Sequence, residues 1–380
     1  MLLREPSSAS GRMTPQLDGD ELLANLMLGT RKVVEPLPAA CAGGLRAALQ
    51  TVLIRALCRP PCLVSFSGGR DSSAVLALAT DTARRHGLAL PVPVTMRFDG
   101  VPAAEESGWQ QLVLDHLGLR NHEVLELTDE LDALGPAATR LLLAHGVRWP
   151  ANAHMHRPII ELARGGTVLT GIGGDELFST GRSVRQLMAG CLPRRVLEEI
   201  WLARRRPTGY RWLTPLGFAR VCRALAREEA SWPRRWDRAV RHWHTTRAFA
   251  AMNDTLALVA EDTGTQVLSP FMDPQVLVEL ARLGGVRGFP SRTVAMRRLC
   301  GGLLPEALIG RRTKATFGGA LWGEATRRFM SAWDGGGVDP RYVDVRRVRA
   351  EFEKAEPDFR TILLVHRAWL DAQPPSSPSR

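Results

Sequence analysis

The stretch at residues 63–78, LVSFSGGRDSSAVLAL, constrains the fold more than any other part of the chain. A short β-prone run leads into the heptad 67–73, and an apolar run that favours a helix follows. Gly68 and Gly69 permit positive φ and let backbone N–H groups approach a bound anion, while the helix dipole adds positive potential there. The stretch therefore predicts a strand, a tight turn and a helix that together hold phosphate. A glycine turn with a serine helix cap is the alternative interpretation.

The polar side chains of the heptad indicate how it would hold its ligand. Ser67, Ser72 and Ser73 supply hydroxyl donors, which suit phosphate oxygens. Asp71 would repel the same phosphates unless a divalent cation lies between the carboxylate and the ligand. The heptad therefore predicts a phosphate site that works together with a metal ion.

A second glycine-rich turn follows a later strand. Residues 167–170 have the pattern of a strand and lead into 171–178, GIGGDELF, where Asp175 stands just beyond the turn. Two carboxylates at strand ends, Asp71 and Asp175, could share one Mg²⁺ that neutralises phosphate charge. An acidic pair at a helix N-terminus is the alternative explanation for Asp175 and Glu176 taken alone.

Strands and helices alternate through the first half of the chain. Strands are predicted at 63–66, 92–98, 123–127 and 167–170, and helices at 39–57, 105–117, 131–145 and 152–164. This alternation predicts an α/β fold with a doubly wound parallel sheet, followed by a helical C-terminal part. Ligands of such sheets bind at the carboxyl ends of the strands, where both glycine turns lie.

Several motifs, in the same order, resemble those of one family. The heptad resembles the SGG-x-D-S-S signature of the PP-loop ATP pyrophosphatases, in particular that of the synthetase domain of the asparagine synthetase family. No Gly-Lys-Ser/Thr follows, as a Walker A loop would require. The stretch 171–178 is similar to that family's G-x-G-S/G-D-E-L-F motif. Residues 267–273 are similar to its V-P-F-L-D segment, and 304–305 and 311–317 to its L-P and R-x-K-x-x-F patterns.

The resemblance implies a PP-loop fold, like that of the adenine nucleotide alpha hydrolases, and ATP-dependent chemistry. In that family ATP is cleaved between its α- and β-phosphates, AMP is transferred to a substrate carboxylate, and an amine then displaces AMP. The resemblance also implies that Asp71 and Asp175 hold Mg²⁺ and that Lys314, with Arg312, stabilises the transition state. The implied nucleotide-binding residues are Val64, Ser67, Gly68, Gly69, Asp71, Ser72, Ser73, Met96, Gly171 and Gly173.

The sequence departs from the family pattern at its start and at three further positions. Glutamine-dependent members begin with an amidotransferase domain whose nucleophilic cysteine follows the initiator Met, whereas residue 2 here is Leu. Ile172 and Gln266 stand where relatives carry glutamates, and neither side chain can act as a general base. Thr293 stands where relatives often have a lysine.

We therefore expect an amide ligase of the asparagine synthetase type that lacks its own glutaminase. Its substrates would be a small-molecule or peptide carboxylate and an amine donor, with a separate glutaminase or biosynthetic partner protein where ammonia is used. Asparagine biosynthesis by two chains and a macrolactam-forming (lasso-peptide) or β-lactam-forming cyclase remain open. A tRNA-modifying PP-loop enzyme and a nucleotide-binding scaffold without turnover are the alternatives from other classes.

Charge gives limited information about a nucleic-acid partner. The 50 basic and 39 acidic residues leave a net charge of +11, but almost all the basic residues are Arg, which indicates compositional bias. The segment 194–241 holds 13 Arg interspersed with tryptophans, a pattern found in single-strand binding and in amphipathic helices whose tryptophans face inward. Because no RNA-binding signature accompanies it, we favour helices that cover the sheet and do not expect a nucleic-acid partner.

These patterns divide the chain into four parts. We expect a flexible N-terminal arm at 1–38, an ATP-binding synthetase domain at 39–330 with a helical Arg/Trp-rich part at 194–260, helices at 331–372 and a disordered tail at 373–380. The six cysteines are scattered without metal-ligand spacing, and neither a signal peptide nor a membrane-spanning run is recognisable. We therefore expect a cytoplasmic protein.

Overall fold

Five parallel strands form one sheet, in the spatial order β3-β2-β1-β4-β5. The computed structural model describes residues 16–98, 101, 104–178, 209–313, 315–316 and 318–374. The strands are β1 (Cys62–Ser65), β2 (Val92–Phe98), β3 (Glu123–Leu127), β4 (Thr167–Leu169) and β5 (Gln266–Leu268). In the register of the sheet, Leu63 of β1 lies between Val92 and Val168. The predicted α/β fold with a doubly wound parallel sheet is confirmed.

Helices flank the sheet and continue beyond it. The helices up to the turn after β4 are α1 (Gly19–Ala24), α2 (Gly44–Leu57), α3 (Arg70–His86), α4 (Ser107–Leu117), α5 (Pro136–His145), α6 (Arg157–Leu162) and α7 (Gly174–Phe178). The later described helices are α8 (Pro215–Ser231), α9 (Trp236–Trp243), α10 (Arg247–Ala260), α11 (Pro274–Gly284), α12 (Arg292–Cys300), α13 (Glu306–Ile309), α14 (Glu324–Ala332), α15 (Val345–Phe352) and α16 (Ile362–Asp371). Short 3-10 helices lie at Ala153–His156, Pro270–Met272, Gly318–Leu321 and Phe359–Thr361.

The helix predicted at 131–145 begins only at Pro136. The preceding residues turn instead, because the buried Asp132 carboxylate accepts hydrogen bonds from the backbone N–H groups of Ala325 at 2.9 Å and Thr326 at 3.2 Å. These partners lie far away in sequence, so local periodicity could not reveal the break.

The strand order reverses between β1 and β4. From β1 the chain passes outward to β2 and β3 on one side, and it then returns through α5 and α6 to β4 on the other side. In doubly wound sheets, ligands bind in the crevice outside the carboxyl ends of the strands at such a reversal. The glycine turns that follow β1 and β4 therefore lie on the two sides of this crevice.

Two apolar layers cover the faces of the sheet. Val64 and Leu169 belong to a cluster with α2, α3 and α11, whereas their strand neighbours Leu63 and Val168 belong to a second cluster with α6 and α10. Alternate residues of a strand point to opposite faces, so both faces of the central strands are buried. This burial explains why the two strands are continuous apolar runs.

Within the segment 1–38, where a flexible arm is predicted, the described residues include helix α1. Helix α1 contacts α8 and α16. Asp18 and Glu21 form a capping box, and Leu23 is buried. The Glu21 carboxylate also pairs with Arg247 of α10. The sequence at 20–28 has helical spacing, but so short a helix is stabilised mainly by tertiary packing.

The predicted Arg/Trp-rich part at 194–260 is largely helical where it is described, which is from residue 209 onward. Trp212, Trp232 and Trp236 are buried, so their rings are not free to stack on bases. Trp201 lies outside the described residues. The described portion therefore has the inward-facing tryptophans expected of helices that cover a core.

The C-terminal helices build a core of their own. Helices α14, α15 and α16 pack with α1 and α8 around Trp212, Trp322 and Leu363. Within the part of the chain that the structure describes, no helix combines the length and the apolar character needed to cross a membrane.

Two buried histidines contribute to the dependence of stability on pH. His154 and His366 have ring centroids 6.4 Å apart, and both are buried. Burial, followed by the proximity of His154, lowers the pKa of His366 from 6.5 to about 3, and burial also lowers the pKa of His154. On acidification, the unfolded chain takes up protons on these histidines at a higher pH than the folded chain does. The stabilisation that the two neutral imidazoles give the folded state is therefore complete above about pH 6.5 and falls as the pH drops towards 3.

We expect the unfolding free energy to decrease on acidification from pH 7 to pH 5, with His366 alone accounting for about 2 kcal/mol. Urea denaturation at the two pH values measures the change. His366→Gln, which cannot take up a proton, should show a smaller decrease than the wild type. A wild-type free energy that stays constant over this range would contradict the assignment.

Candidate active site

The loop after β1 presents hydrogen-bond donors at the start of α3. Gly68 has a φ of 81°. The hydroxyl oxygens of Ser67 and Ser72 lie 3.1 Å apart, and the Ser72 hydroxyl donates to the Gly69 carbonyl at 3.2 Å. The backbone N–H of Gly69 donates to the Ser67 hydroxyl at 3.3 Å. These groups satisfy one another inside the loop, and a bound anion would accept their hydrogen bonds instead.

Glycines allow the turns after β1 and β4 to approach each other. A Cβ at Gly171 would lie 2.9 Å from the backbone nitrogen of Ser72, and a Cβ at Gly174 would overlap the carboxylate of Asp71. Any side chain at these positions would separate the two turns. The second glycine motif is therefore needed for the geometry of the first.

Arg292, the first residue of α12, links the two turns. Its guanidinium donates to Oδ2 of Asp71 and, at 2.5 Å, to Oδ1 of Asp175. Burial acts to lower the pKa of Arg292, but the two carboxylates outweigh this effect and raise it. A full positive charge therefore lies between the two carboxylates that the sequence predicted as metal ligands.

The same two carboxylates are suited to a divalent cation. They come from separate turns and converge on one cationic group, so a hard cation with oxygen ligands would meet both. Among the described residues, no cluster of three or more His, Cys, Asp or Glu side chains could hold a metal ion.

A buried ion pair, Arg311 with Glu106, fixes the opposite wall. Their side chains are 4% and 5% exposed. Nη1 of Arg311 donates to Oε2 of Glu106 at 2.7 Å and to the Gly68 carbonyl at 3.2 Å. The guanidinium lies 4.8 Å above the Trp109 ring, and its Nε donates to the Thr313 hydroxyl at 3.0 Å. These contacts tie the segment after α13 to the loop after β1.

These groups line one cleft of about 480 Å³ at the carboxyl ends of β1 and β4. Its described charged residues are Arg70, Asp71, Glu106, Asp175, Glu176, Arg292 and Arg311. A further part of the lining, here called the apolar wall, consists of Trp149, Pro150, Ala153, Ile172, Met252 and Leu256. His156 lies beside this wall, and burial, followed by the nearby His154, lowers its pKa to about 4. Its imidazole is therefore neutral at pH 7.

The structure brings most of the predicted binding residues together. Those that line the cleft are Ser67, Gly69, Asp71, Ser72, Gly171, Gly173 and Asp175. Val64 and Ser73 are fully buried in β1 and α3. Met96 lines a separate narrow pocket, which shares Glu106 with the cleft. The roles of these residues in nucleotide binding stay predictions.

The predicted catalytic residues belong to the segment after α13. Arg312 is exposed and is not among the residues that line the cleft. Lys314 lies outside the described residues, but its neighbours Thr313 and Ala315 both line the cleft. The catalytic roles of Arg312 and Lys314 stay predictions.

Sequence reasoning missed Arg292, Glu106 and Arg311. Relatives often carry a lysine at the position of Thr293, and Arg292 directly precedes it. The sequence signal for Arg292 was therefore a cationic residue one position away from the family's lysine. Glu106 and Arg311 are 205 residues apart, and although Arg311 begins the segment that resembles the R-x-K-x-x-F pattern, no local pattern indicates its pairing with Glu106. In a chain so rich in arginine, the residue type alone indicates nothing.

Breaking the Glu106–Arg311 pair should cost more than replacing both residues. Glu106→Gln leaves the buried guanidinium without its carboxylate, which should lower the unfolding free energy by about 3–5 kcal/mol. The double variant Glu106→Leu/Arg311→Met removes both charges and should cost clearly less. Urea denaturation of the three proteins measures the difference, and equal losses for the single and double variants would contradict this account.

Comparison with known families agrees with this geometry. The family model described as asparagine synthase matches residues 44–370 of the 380-residue chain. No curated protein matches the chain. The match extends from α2 to α16 and includes both glycine turns and the segment after α13. The chain therefore belongs to the asparagine synthase family and is an ATP-dependent amide ligase of that family.

Proposed function

We propose that the protein is an AMP-forming amide ligase, which activates a substrate carboxylate with Mg·ATP and transfers the acyl group to an amine. The meeting of Asp71 and Asp175 at one cation beside the glycine-rich loop carries this proposal. Such a site suits a polyphosphate, whose charge needs both N–H donors and a metal ion. Membership of the family supports ATP as the nucleotide.

The loop after β1 would hold the part of ATP that leaves as pyrophosphate. The hydroxyls of Ser67 and Ser72 would donate to it, and the N-terminus of α3 adds positive potential. Asp71 and Asp175 would hold Mg²⁺, which neutralises phosphate charge when bound. Arg292 would then be released from the two carboxylates and could turn its guanidinium to the phosphates.

The reaction would proceed in two displacements. A carboxylate oxygen attacks the α-phosphorus of ATP, the bond from this phosphorus to the α–β bridging oxygen breaks, and pyrophosphate leaves. The amine nitrogen then attacks the acyl carbon, the bond from this carbon to AMP breaks, and the nitrogen loses a proton. Lys314, in the segment that Arg311 fixes, is proposed to stabilise the charge that develops, with Arg312 as a second cation.

Ile172 bears on the source of the amine. It lines the cleft between Gly171 and Gly173, where relatives carry a glutamate, and its alkyl side chain cannot act as the base that takes a proton from an ammonium ion. We propose that the amine arrives neutral, either on the substrate itself or as ammonia from a separate glutaminase or biosynthetic partner in the cytoplasm. Because the side chain at this position is apolar, we take intramolecular amide formation as the second candidate function. Its product would be a macrolactam or a β-lactam.

The products of ATP cleavage test the reaction type. The wild type, with Mg·ATP and a panel of carboxylates, should release AMP and pyrophosphate only when a substrate carboxylate is present. Asp71→Asn and Asp175→Asn should each lower the rate by a factor on the order of 10²–10³. Asp115→Asn, an exposed change on α4, is the matched control and should leave the rate unchanged. Release of ADP and orthophosphate instead would contradict the proposal.

Mg²⁺ should compensate for the loss of Arg292. Arg292→Gln removes the cation that Asp71 and Asp175 share, so we expect the unfolding temperature in a chelator to fall by a few degrees. Millimolar Mg²⁺ should raise the unfolding temperature of this variant more than that of the wild type, as measured by scanning calorimetry. The control is the triple variant that also carries Asp71→Asn and Asp175→Asn. A Mg²⁺ effect of the same size in this control would show that Mg²⁺ binds elsewhere.

A further inference from the structure

The apolar wall is a continuous surface built into the fold. Trp149, Ile172 and Met252 belong to or pack against one hydrophobic cluster. Met252 and Leu256 lie one turn apart on α10 and so share a face of that helix. The Thr255 hydroxyl donates to the Trp149 carbonyl at 2.9 Å, which fixes α10 against the segment before the Ala153 3-10 helix. The wall is therefore available as a preformed pocket surface.

The apolar wall and the place of the adenine lie on opposite sides of strand β1. The strand order places β2 on one side of β1 and β4 on the other. The family resemblance implies that Met96 of β2 binds the nucleotide, and we place adenine there, whereas Ile172 follows β4. A carboxylate that attacks the α-phosphate at the loop after β1 would therefore extend the rest of its molecule towards the wall.

The chemistry of the wall selects against a second charge on the substrate. The charged residues that line the cleft in the described part of the chain are those of the turns after β1 and β4, Arg292 and the Glu106–Arg311 pair. Asn152 and the neutral His156 also line this cleft. Against Ala153, Met252 and Leu256, a charged group would lose its hydration, whereas burial of an apolar group there is favourable.

We propose that the carboxylate substrate carries its reacting group on an aliphatic or aromatic moiety, and that it is not a free aspartate-like amino acid with an α-ammonium and an α-carboxylate. This inference rests on the proposed function, since it assumes that a carboxylate reacts at the loop after β1. The apolar wall would hold the moiety and orient the carboxylate towards the α-phosphate.

Binding measurements test this inference without turnover. The protein is saturated with Mg²⁺ and α,β-methylene ATP, whose α–β bridge cannot be cleaved, and is titrated calorimetrically with hexanoate, 3-phenylpropanoate and aspartate. We expect the apolar acids to bind at least roughly tenfold more tightly than aspartate. Equal or tighter binding of aspartate, or no binding of either apolar acid, would overturn the inference while the proposed function stands. Failure of the nucleotide analogue to bind would overturn both.

Substitutions in the wall provide the second measurement. Met252→Gln and Leu256→Asn keep approximate size but place an amide in the wall, so each should weaken binding of the apolar acids roughly tenfold. The affinity for α,β-methylene ATP should not change, which also shows that the variants are folded. Leu216→Asn, at an exposed position of α8, is the matched control. Unchanged binding of the apolar acids in both wall variants would overturn the inference.

Discussion

The guanidinium of Arg292, placed between Asp71 and Asp175, is the interaction on which the rest of the site depends. It joins three elements that are far apart in sequence: the turn after β1, the turn after β4 and the start of α12. Two carboxylates that converge on one point repel each other unless a cation lies between them. The glycines of both turns permit this approach, and the shared cation makes it stable.

The charge balance of the cleft explains why a metal ion would enter with the nucleotide. The described lining residues include three arginines, namely Arg70, Arg292 and Arg311, and four acids, namely Asp71, Glu106, Asp175 and Glu176. The described lining is therefore not strongly positive by itself, although the whole chain carries +11. A bound polyphosphate would add several negative charges, which Mg²⁺ on the two aspartates would offset. The basic excess of the chain is thus a poor guide to its ligand.

The parts that depend on local patterns could be predicted from the sequence, and those that depend on distant contacts could not. The heptad, the second glycine turn and the alternation of strands with helices are local, because each follows from dihedral freedom or residue periodicity. The packing of helix α1 was not predicted, because it depends on the burial of Leu23 against helices that come much later in the chain. Arg292 and the Glu106–Arg311 pair were missed because only the folded chain brings them to the loop. An arginine in so arginine-rich a chain carries no signal until its partner is known.

Transfer of ¹⁸O from a labelled substrate carboxylate to AMP tests the central claim most directly. If the carboxylate attacks the α-phosphate and an amine then displaces AMP, one carboxylate oxygen remains on AMP. Mass spectrometry should therefore find the label in AMP and none in pyrophosphate. Unlabelled AMP, or ADP accompanied by labelled orthophosphate, would contradict acyl adenylation at the Asp71–Asp175 site.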